Sequence, residues 1–359
     1  MALLEYKCPN CGGAIEFDAA TQEMVCPFCD TVMDMAAMQS MDADIEQQQA
    51  SEKIDWGYDG DGWAEGEQDG MAVYSCQSCS GEIVGDETLG ATSCPFCGNP
   101  VVMTSKFSGT LRPDVVIPFK KTKDEAIKAL KGHYLNKKLL PRVFKEANHL
   151  EEIRGVYVPF WLFDADADAR IEYKATRSRR WSDSKYDYVE TSEFRVFREG
   201  SLGFDAVPVD GSTAIDDTLM ESIEPFDMKD GVDFQTAYLA GYFANKYDVD
   251  AEASTDRANT RIKNSTEAAF KETVVGYDTV SPRNSRINLK SGGVRYALLP
   301  VWLLSTKWNN ENFIFAMNGQ TGKFVGNLPL DKGLYKSWFL KIFGGAAAAL
   351  VALSFLLFR

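Results

Sequence analysis

The chain has 359 residues, 45% of them hydrophobic and 25% charged, with a formal net charge of −14 at pH 7. That length leaves room for two or three domains, and the make-up is that of a folded protein with local exceptions, which excludes a chain disordered throughout. Met1 to Lys7 carries no apolar run, so no N-terminal signal peptide is expected.

All eight cysteines fall in four Cys-x-x-Cys pairs: Cys8/Cys11, Cys26/Cys29, Cys76/Cys79 and Cys94/Cys97. In each half 14 residues separate one pair from the next, and each cysteine recurs 68 positions later. Two thiolates on one short knuckle face a common metal, and two knuckles close a tetrahedral S4 shell suited to Zn2+. Gly12 and Gly13 follow Cys11, and Gly98 follows Cys97, where glycine relieves the tight turn. Pro9, Pro27 and Pro95 stiffen the turn after the first cysteine. A disulfide is the competing reading, but a Cys-x-x-Cys disulfide closes too short a loop to stabilise much. A thioredoxin-like site needs a βαβ context that is absent. The expectation is two structural Zn2+ sites with no open position for water or substrate. Reduced, metal-bound cysteines imply the cytosol. The first ribbon is placed at residues 1–33 and the second at 73–106.

Residues 34–72 between them carry eleven acidic residues and one basic residue, Lys53. Asp55 to Gly70 has neither helix nor strand period and reads as a disordered acidic linker. Trp56, Tyr58 and Trp63 are odd there: they are scattered aromatics in a solvated tether, or a short element that docks onto a partner or onto the protein's own domains.

Val115 to Leu330 reads as a diverged duplication, with one α+β module at 107–221 and a second at 222–331. Ile117-Pro118-Phe119 precedes a helical run from Lys123 to Lys138; Glu224-Pro225-Phe226 precedes a comparable run from Phe234 to Lys246. Val158-Pro159-Phe160-Trp161-Leu162 then resembles Leu299-Pro300-Val301-Trp302-Leu303. The second copy carries extra residues, placed at Ala251 to Asn284, within which Arg257 to Lys271 suits a helix. After each tryptophan comes a strand meander; in the second copy the runs are Leu298–Trp308, Asn312–Met317 and Lys323–Gly326, with Asn309-Asn310 and Asn318-Gly319 as turns. Pro159 and Pro300 suggest an edge or a bulge. Each module is expected to lay a helix on an antiparallel sheet, with Trp161 and Trp302 as core anchors rather than ligand-stacking groups.

Ile342 to Phe358 contains no charge, and Trp338–Phe358 is long enough for a bilayer core. Lys332, Lys336 and Lys341 precede it. The expectation is therefore a C-terminal transmembrane helix over 338–358, a single-pass anchor in the cell membrane with the bulk of the chain cytoplasmic. The fold class expected is α+β: two small zinc ribbons, a duplicated helix-plus-antiparallel-sheet region and that membrane helix.

Several motifs fail. Asp164, Asp166 and Asp168 begin like a calcium loop, but Ala169 and Ala175 stand where glycine and a bidentate Glu belong; a strand with aspartates out and alanines in fits better. Gly319-Gln320-Thr321-Gly322-Lys323 is too short for a phosphate-binding loop. The two histidines, His133 and His149, have no evident nucleophile, and no catalytic constellation emerges, so no enzyme is expected.

The paired Cys-Pro-x-Cys ribbons, the Pro-x-Trp modules, the Asn318-to-Lys323 turn and the apolar tail together resemble bacterial TFIIB-type zinc-ribbon membrane proteins, some labelled replication-restart helicase-like. The resemblance implies the eight cysteines as zinc ligands, a membrane-associated protein found near PspA-like and SPFH-type membrane-stress proteins, and no catalytic residues. The helicase label fails for want of a nucleotide-binding loop. Two functions follow. The first is a membrane-anchored, non-enzymatic adaptor that recruits cytosolic protein partners, of the PspA-like or SPFH type, to the cytoplasmic membrane face. The second is a zinc-ribbon nucleic-acid-binding protein associated with transcription or replication. Lys7 is the one basic residue from Met1 to Ser40, and Val73 to Thr104 has none, which disfavours phosphate binding. The cluster Lys174, Arg177, Arg179 and Arg180 is the best argument for nucleic acid, but Asp183, Asp187, Glu190 and Glu193 follow it.

Overall fold

The computed structural model describes residues 16–18, 23–25, 27, 32–33, 56–58, 60, 62–86, 93–106, 111–134, 137–146, 150, 152–290 and 292–357. The chain divides into two compact units. One comprises Trp56–Asp164, Phe204–Ile262 and Gly292–Arg359; the other comprises Met1–Asp55, Ala165–Gly203 and Lys263–Ser291.

Three short strands, β1 (Glu16–Asp18), β2 (Glu23–Val25) and β3 (Val32–Met33), form an antiparallel sheet in the first ribbon. The second ribbon is built from β4 (Met71–Cys76), β5 (Glu82–Asp86) and β6 (Val101–Lys106). Then follow β7 (Val115–Val116), helix α1 (Lys123–Tyr134), and the long strands β8 (Arg154–Ser182) and β9 (Asp187–Asp210). After α2 (Asp217–Ile223) come β10 (Val232–Asp233), β11 (Phe243–Asn245), α3 (Ala251–Glu272) and β12 (Thr279–Lys290). The chain continues through β13 (Val294–Trp308), β14 (Glu311–Asn318) and β15 (Phe324–Gly326) to α4 (Lys332–Leu357).

At the centre of the larger unit β8 and β13 lie antiparallel, with Pro159 opposite Leu298 and Pro300 opposite Tyr157. Both strands are almost continuously apolar because both faces are covered. One face carries Val158, Phe160, Leu162, Leu299, Val301 and Leu303; on the other, Trp302 and Leu304 meet Ile127, Leu130 and Tyr134 of α1. Strand β7 runs parallel to β13, and β11 runs parallel to β8. The sheet order β10-β7-β13-β8-β11-β5 is thus palindromic about the β8–β13 pair.

The duplication is visible atom by atom. Gly211 N–H donates to the Pro159 carbonyl at 2.9 Å, and Gly319 N–H donates to the Pro300 carbonyl at 2.8 Å. The Gly211 carbonyl accepts from Asp248 and Val249; the Gly319 carbonyl accepts from Lys120 and Lys121. Trp161 Nε1 donates to Val249 O at 2.8 Å, and Trp302 Nε1 to Lys121 O at 2.9 Å. Each indole therefore fixes the residue that leads into a helix, Val249 for α3 and Lys121 for α1. The prolines are tolerated in central strands because the short parallel neighbours have already ended: β11 pairs with β8 only at Val156 and Tyr157, and β7 pairs with β13 only at Ala297 and Leu298.

Local chemistry sets the helix starts. Thr122 and Glu125 form a capping box: Glu125 N–H donates to Thr122 Oγ1 at 3.3 Å and Thr122 N–H donates to Glu125 Oε2 at 2.8 Å. Asp250 accepts from Ala253 N–H at 2.8 Å to start α3. Gly155 is required beside a stacked ring pair, since a Cβ there would sit 2.6 Å from Tyr242, which stacks on Phe119 at 4.2 Å between centroids.

Several expectations need correction. The run Phe234–Lys246 is not a helix; it holds a 3-10 turn (Thr236–Leu239) and β11, and the counterpart of α1 is α3, in the segment read as an insertion. The fold class is likewise not two helix-on-antiparallel-sheet modules with a membrane helix. Among the described residues it is a twelve-stranded mixed sheet with a separate three-stranded one and four α-helices. The parallel pairs form between the two copies, so neither copy closes an antiparallel sheet of its own.

The third correction concerns the membrane. Helix α4 forms, but among the described residues no helix is long and apolar enough to cross a membrane. The expected anchor over Trp338–Phe358, and the single-pass membrane localisation resting on it, are overturned. Lys332, Lys336 and Lys341 occupy the first part of α4. The charge-free part of α4, Ile342 to Leu357, is sixteen residues, or about 24 Å, against about 30 Å for a bilayer core. The start of the helix is tied down: Asp331 N–H donates to the Leu139 carbonyl at 3.0 Å, and Lys138 Nζ lies 4.7 Å from the Trp338 ring centre.

Asp55 to Gly70 was expected to be structureless, yet its described residues pack on the larger unit. Trp56 is buried edge-on against Phe163 at 5.2 Å, Tyr58 meets Trp161 at 5.5 Å and Trp63 meets Phe234 at 5.8 Å. The aromatics that looked out of place hold this segment down together with Glu67, whose carboxylate accepts from Arg112 at 3.0 Å.

In the smaller unit, β8 from Ala165 onward pairs with β12, from Lys290 opposite Asp166 to Thr279 opposite Thr176. Ala165, Ala167, Ala169, Ile171 and Tyr173 point inward, and Phe270 and Val274 cover the last three of these. The alternating aspartates and alanines are a half-buried strand.

The repeat generates a test. Asp210-Gly211-Ser212-Thr213 closes β9 as Asn318-Gly319-Gln320-Thr321 closes β14. Asn318 is fully buried; its Nδ2 donates to the Ile223 and Pro225 carbonyls, and its Oδ1 accepts from Gln320 N–H. Asp210 is 4% exposed, its Oδ1 accepts from Ser212 N–H at 3.1 Å, and its Oδ2 has no partner. Burial pushes the Asp210 carboxyl up to about 8, with Asp217 and Asp248 adding to the effect and the Ser212 N–H and Arg257 opposing it. The folded state therefore holds a proton that the unfolded chain releases near pH 4. Stability from this group is full below that pH and declines as pH rises toward 8. Asp210→Asn should flatten the decline and raise stability at pH 8 by at least about 1 kcal/mol, read from urea unfolding at pH 5 and pH 8.

Candidate metal centre

The second cysteine quartet is assembled by the β4–β5 hairpin and the turn before β6. Cys76 ends β4, and Ser80 N–H donates back to its carbonyl at 2.8 Å while Cys76 N–H donates to the Gly81 carbonyl at 3.0 Å. This folds Cys79 under Cys76. The second knuckle repeats the pattern: Gly98 N–H donates to the Cys94 carbonyl at 2.9 Å, and Cys94 N–H donates to the Asn99 carbonyl at 2.8 Å. Gly98 has φ of 73° and Ser80 has φ of 58°, so both knuckles close through the left-handed region. The glycine after Cys97 sits where the sequence called for it; Ser80 does the same work without that signal.

The four sulfurs of Cys76, Cys79, Cys94 and Cys97 lie within 4.8 Å of one another. Cys76 Sγ is 3.4 Å from Cys97 Sγ, and Cys79 Sγ is 3.7 Å from Cys94 Sγ. A zinc tetrahedron with Zn–S bonds of about 2.3 Å has edges of about 3.8 Å, so the shell has the right size. Cys76 and Cys94 are buried, Cys97 is half-buried and Cys79 is exposed.

The electrostatics suit a cation. Burial raises the Cys76 thiol, but backbone N–H groups of Cys79 and Ser78 aim at its sulfur and, with the Cys97 and Cys79 side chains, bring it down to about 7. Burial pushes the Cys79 thiol up to about 11 and Cys94 further still, with the neighbouring cysteines opposing a second negative charge at Cys94. A soft divalent cation inverts this balance, because it lets all four sulfurs ionise together. Four soft donors at tetrahedral spacing, with knuckle amides aimed at sulfur, fit Zn2+. When bound, Zn2+ supplies a crosslink between the two knuckles. Asn99 Nδ2 donates to Cys97 Sγ at 3.3 Å, an outer-shell contact that sequence reasoning missed; its signal was a polar side chain two residues after the last cysteine.

The ribbon is joined to the core rather than tethered to it. Strand β5 pairs with β11, Val84 opposite Ala244, and so extends the central sheet. Phe96, between Cys94 and Cys97, is buried in the same cluster as Val158 and Leu299, and its carbonyl accepts from Asn312 Nδ2 at 3.0 Å. Gly81 makes room for it: a Cβ there would stand 3.0 Å from the Phe96 ring.

The other sequence candidates separate from this site. Cys8, Cys11, Cys26 and Cys29 lie outside the described residues, as does His149. His133 sits on α1 with its ring 5.3 Å from Phe324, and burial lowers its pKa. The turn Asn318 to Lys323 is a clasp filled by its own side chains; Gln320 Oε1 accepts from Asp227 N–H and its Nε2 donates to the Asp227 carbonyl, both at 2.8 Å. Among the described residues the Cys76 quartet is the one metal-competent cluster.

Comparison with known proteins agrees on the ribbon. A family described as TFIIB zinc-binding matches residues 6–42, which contain the first quartet. The uncharacterized protein YdjG of Bacillus subtilis (strain 168) is 34% identical over 357 residues, covering 99% of this chain and 98% of its own. No solved structure matches. The zinc-ribbon part of the sequence resemblance is thus supported, and its membrane and helicase-like labels are not.

Zinc binding requires loss of thiol protons, so retention must weaken as pH falls. Zinc released to a chromogenic chelator should rise between pH 7.5 and pH 5.5. Cys94→Ser should lower zinc content and, because Phe96 is in the core, should also lower the unfolding midpoint of the larger unit.

Proposed function

We propose that this chain, which belongs to the same family as YdjG of Bacillus subtilis, is a non-catalytic zinc-ribbon adaptor that recruits protein partners. The carrying observation is the closed S4 shell on a ribbon that ends in an open sheet edge. With four thiolates on the metal no position is left for water or substrate, so the ion shapes a surface rather than a reaction. Strand β6 terminates the sheet, with β4 as its one neighbour among the described residues, and it exposes Val102 and Met103 at 54% and 48%. An open edge with apolar side chains suits an extended segment of another protein, which gains main-chain hydrogen bonds and side-chain contacts together. Residues 73–104 carry no Lys or Arg, which favours protein over nucleic acid. The partner class suggested by resemblance is the PspA-like or SPFH-type membrane-stress protein.

The reading includes two Zn2+ ions per chain, one in each quartet. Metal analysis of protein purified without added zinc should give two; a value near one would remove the first quartet from the proposal.

Partners should co-purify with the full-length chain and be lost, at least tenfold, in both Cys94→Ser/Cys97→Ser and Val102→Asp/Met103→Asp. The second variant leaves the metal shell intact and separates recognition from folding. Partners retained at full yield by both variants, or released by nuclease treatment, would overturn the adaptor reading.

A further inference from the structure

On the open face of the β9-β8-β12 sheet, the register sets two arginines directly against each other. Arg286 of β12 is the pairing partner of Arg170 of β8, with Asn284 opposite Glu172 and Asn288 opposite Asp168 on either side. Like charges directly opposite on an antiparallel pair destabilise the sheet. A solvated sheet face avoids this by alternating signs, and the rest of this face does so.

The surrounding carboxylates are committed elsewhere. Lys290 Nζ is 2.6 Å from Asp168, which also accepts from Ser201 at 2.6 Å. Arg195 Nε donates to Glu172 at 2.8 Å, with Arg283 at 3.7 Å from the same carboxylate. Lys174 holds Glu193 at 2.7 Å. Glu199 reaches Arg170 only at 3.7 Å, with both side chains over 70% exposed. Asp166 lies opposite Lys290 at the end of the ladder. Arg286 has no ion-pair partner among the described residues. Beside it Arg170, Glu172, Phe197, Asn284 and Arg286 line a solvent-open depression of about 240 Å³. Phe197 is 55% exposed there, with the Arg195 guanidinium 5.6 Å from its ring centre.

We infer that the Arg170–Arg286 pair is a binding site for a carboxylate-rich peptide segment of a partner protein, with Phe197 receiving an adjacent apolar side chain. Two guanidinium forks on neighbouring strands bracket one carboxylate with up to four N–H donors, and Asn284 and Asn288 add side-chain amides two residues to either side. The repulsion between the arginines is relieved when an anion sits between them. Peptide is favoured over nucleic acid because a single bracketed arginine pair suits one carboxylate rather than the regularly spaced charges of a polyphosphate backbone, while the half-exposed Phe197 ring beside the pair offers contact to an apolar neighbour. This site lies in the smaller unit and uses no residue of the metal centre, so it stands apart from the adaptor reading of the ribbon.

The test uses the full-length protein and a fluorescein-labelled Glu-Glu-Phe-Glu-Glu peptide, followed by anisotropy at low salt. Binding is expected for wild type, and a loss of at least tenfold for Arg286→Thr and Arg170→Thr, but not for Arg179→Thr. Arg286→Thr should also raise the unfolding midpoint of the ligand-free protein, because the like-charge contact is gone; this separates a built site from a structural arginine. No binding by wild type, equal binding by all three variants, or a fall in stability in Arg286→Thr would overturn the proposal. So would tighter binding of a single-stranded oligonucleotide, or displacement of the peptide by inorganic phosphate at concentrations as low as the peptide's own Kd.

Discussion

The structure of the larger unit depends on one register: β13 laid antiparallel on β8 so that the two Pro-x-Trp motifs face opposite ways around a common centre. Once that register is set, each tryptophan N–H reaches the carbonyl that precedes a helix, and each glycine-bearing turn returns to the proline of its own hairpin. The helices α1 and α3 are therefore aimed by indoles rather than by their own sequences, which supply only caps and an apolar stripe. A slip of one residue would turn every core side chain of these strands to the opposite face. The two buried indoles and the two glycine turns are what exclude it.

The metal centre inherits its rigidity from this sheet. A small ribbon commonly depends on its ion because it buries too little by itself. Here β5 is hydrogen-bonded to β11 and Phe96 is packed among β8 and β13 side chains, so the second quartet is braced from outside. Ion and sheet support each other: the sheet presents the knuckles at metal spacing, and the ion holds the Phe96 loop against the core.

Much of this was legible in the sequence. The cysteine spacing carried the second quartet because ligand geometry tolerates little variation. The helix from Lys123 was readable from its apolar face, although it ends at Tyr134 and not at Lys138, and the meander after Trp302 from Asn309-Asn310, whose positive φ values of 51° and 65° are those of a tight hairpin turn. The parallel pairs were not legible, since two- and three-residue strands have no period to detect. The second helix was misplaced because the Pro-Phe dipeptides attracted the alignment, while the informative repeat, Asp210-Gly211 against Asn318-Gly319, lies after the hairpins and differs in one atom of charge chemistry. The ordered tail of the acidic linker was hidden by composition: three aromatics pack on the unit, and Glu67, which reads as one more solvated acid, is part-buried against Arg112 at 3.0 Å. The apolar C-terminal run read as a bilayer span because the count took in Trp338 to Leu340, which Lys341 separates from the charge-free part of α4.

The palindromic strand order has a consequence for how such a chain completes its sheet. Strand β7 belongs in sequence to the first copy but lies beside β13 of the second, and β11 lies beside β8 of the first. Neither copy contains its own parallel neighbour. A single copy could complete this sheet only against a second copy, so the covalent link makes one polypeptide the equivalent of a two-fold symmetric pair in which each half is free to differ from its twin. The hairpin of the first copy runs on into the smaller unit, while that of the second is short and closes on the amide side chains of Asn318 and Gln320.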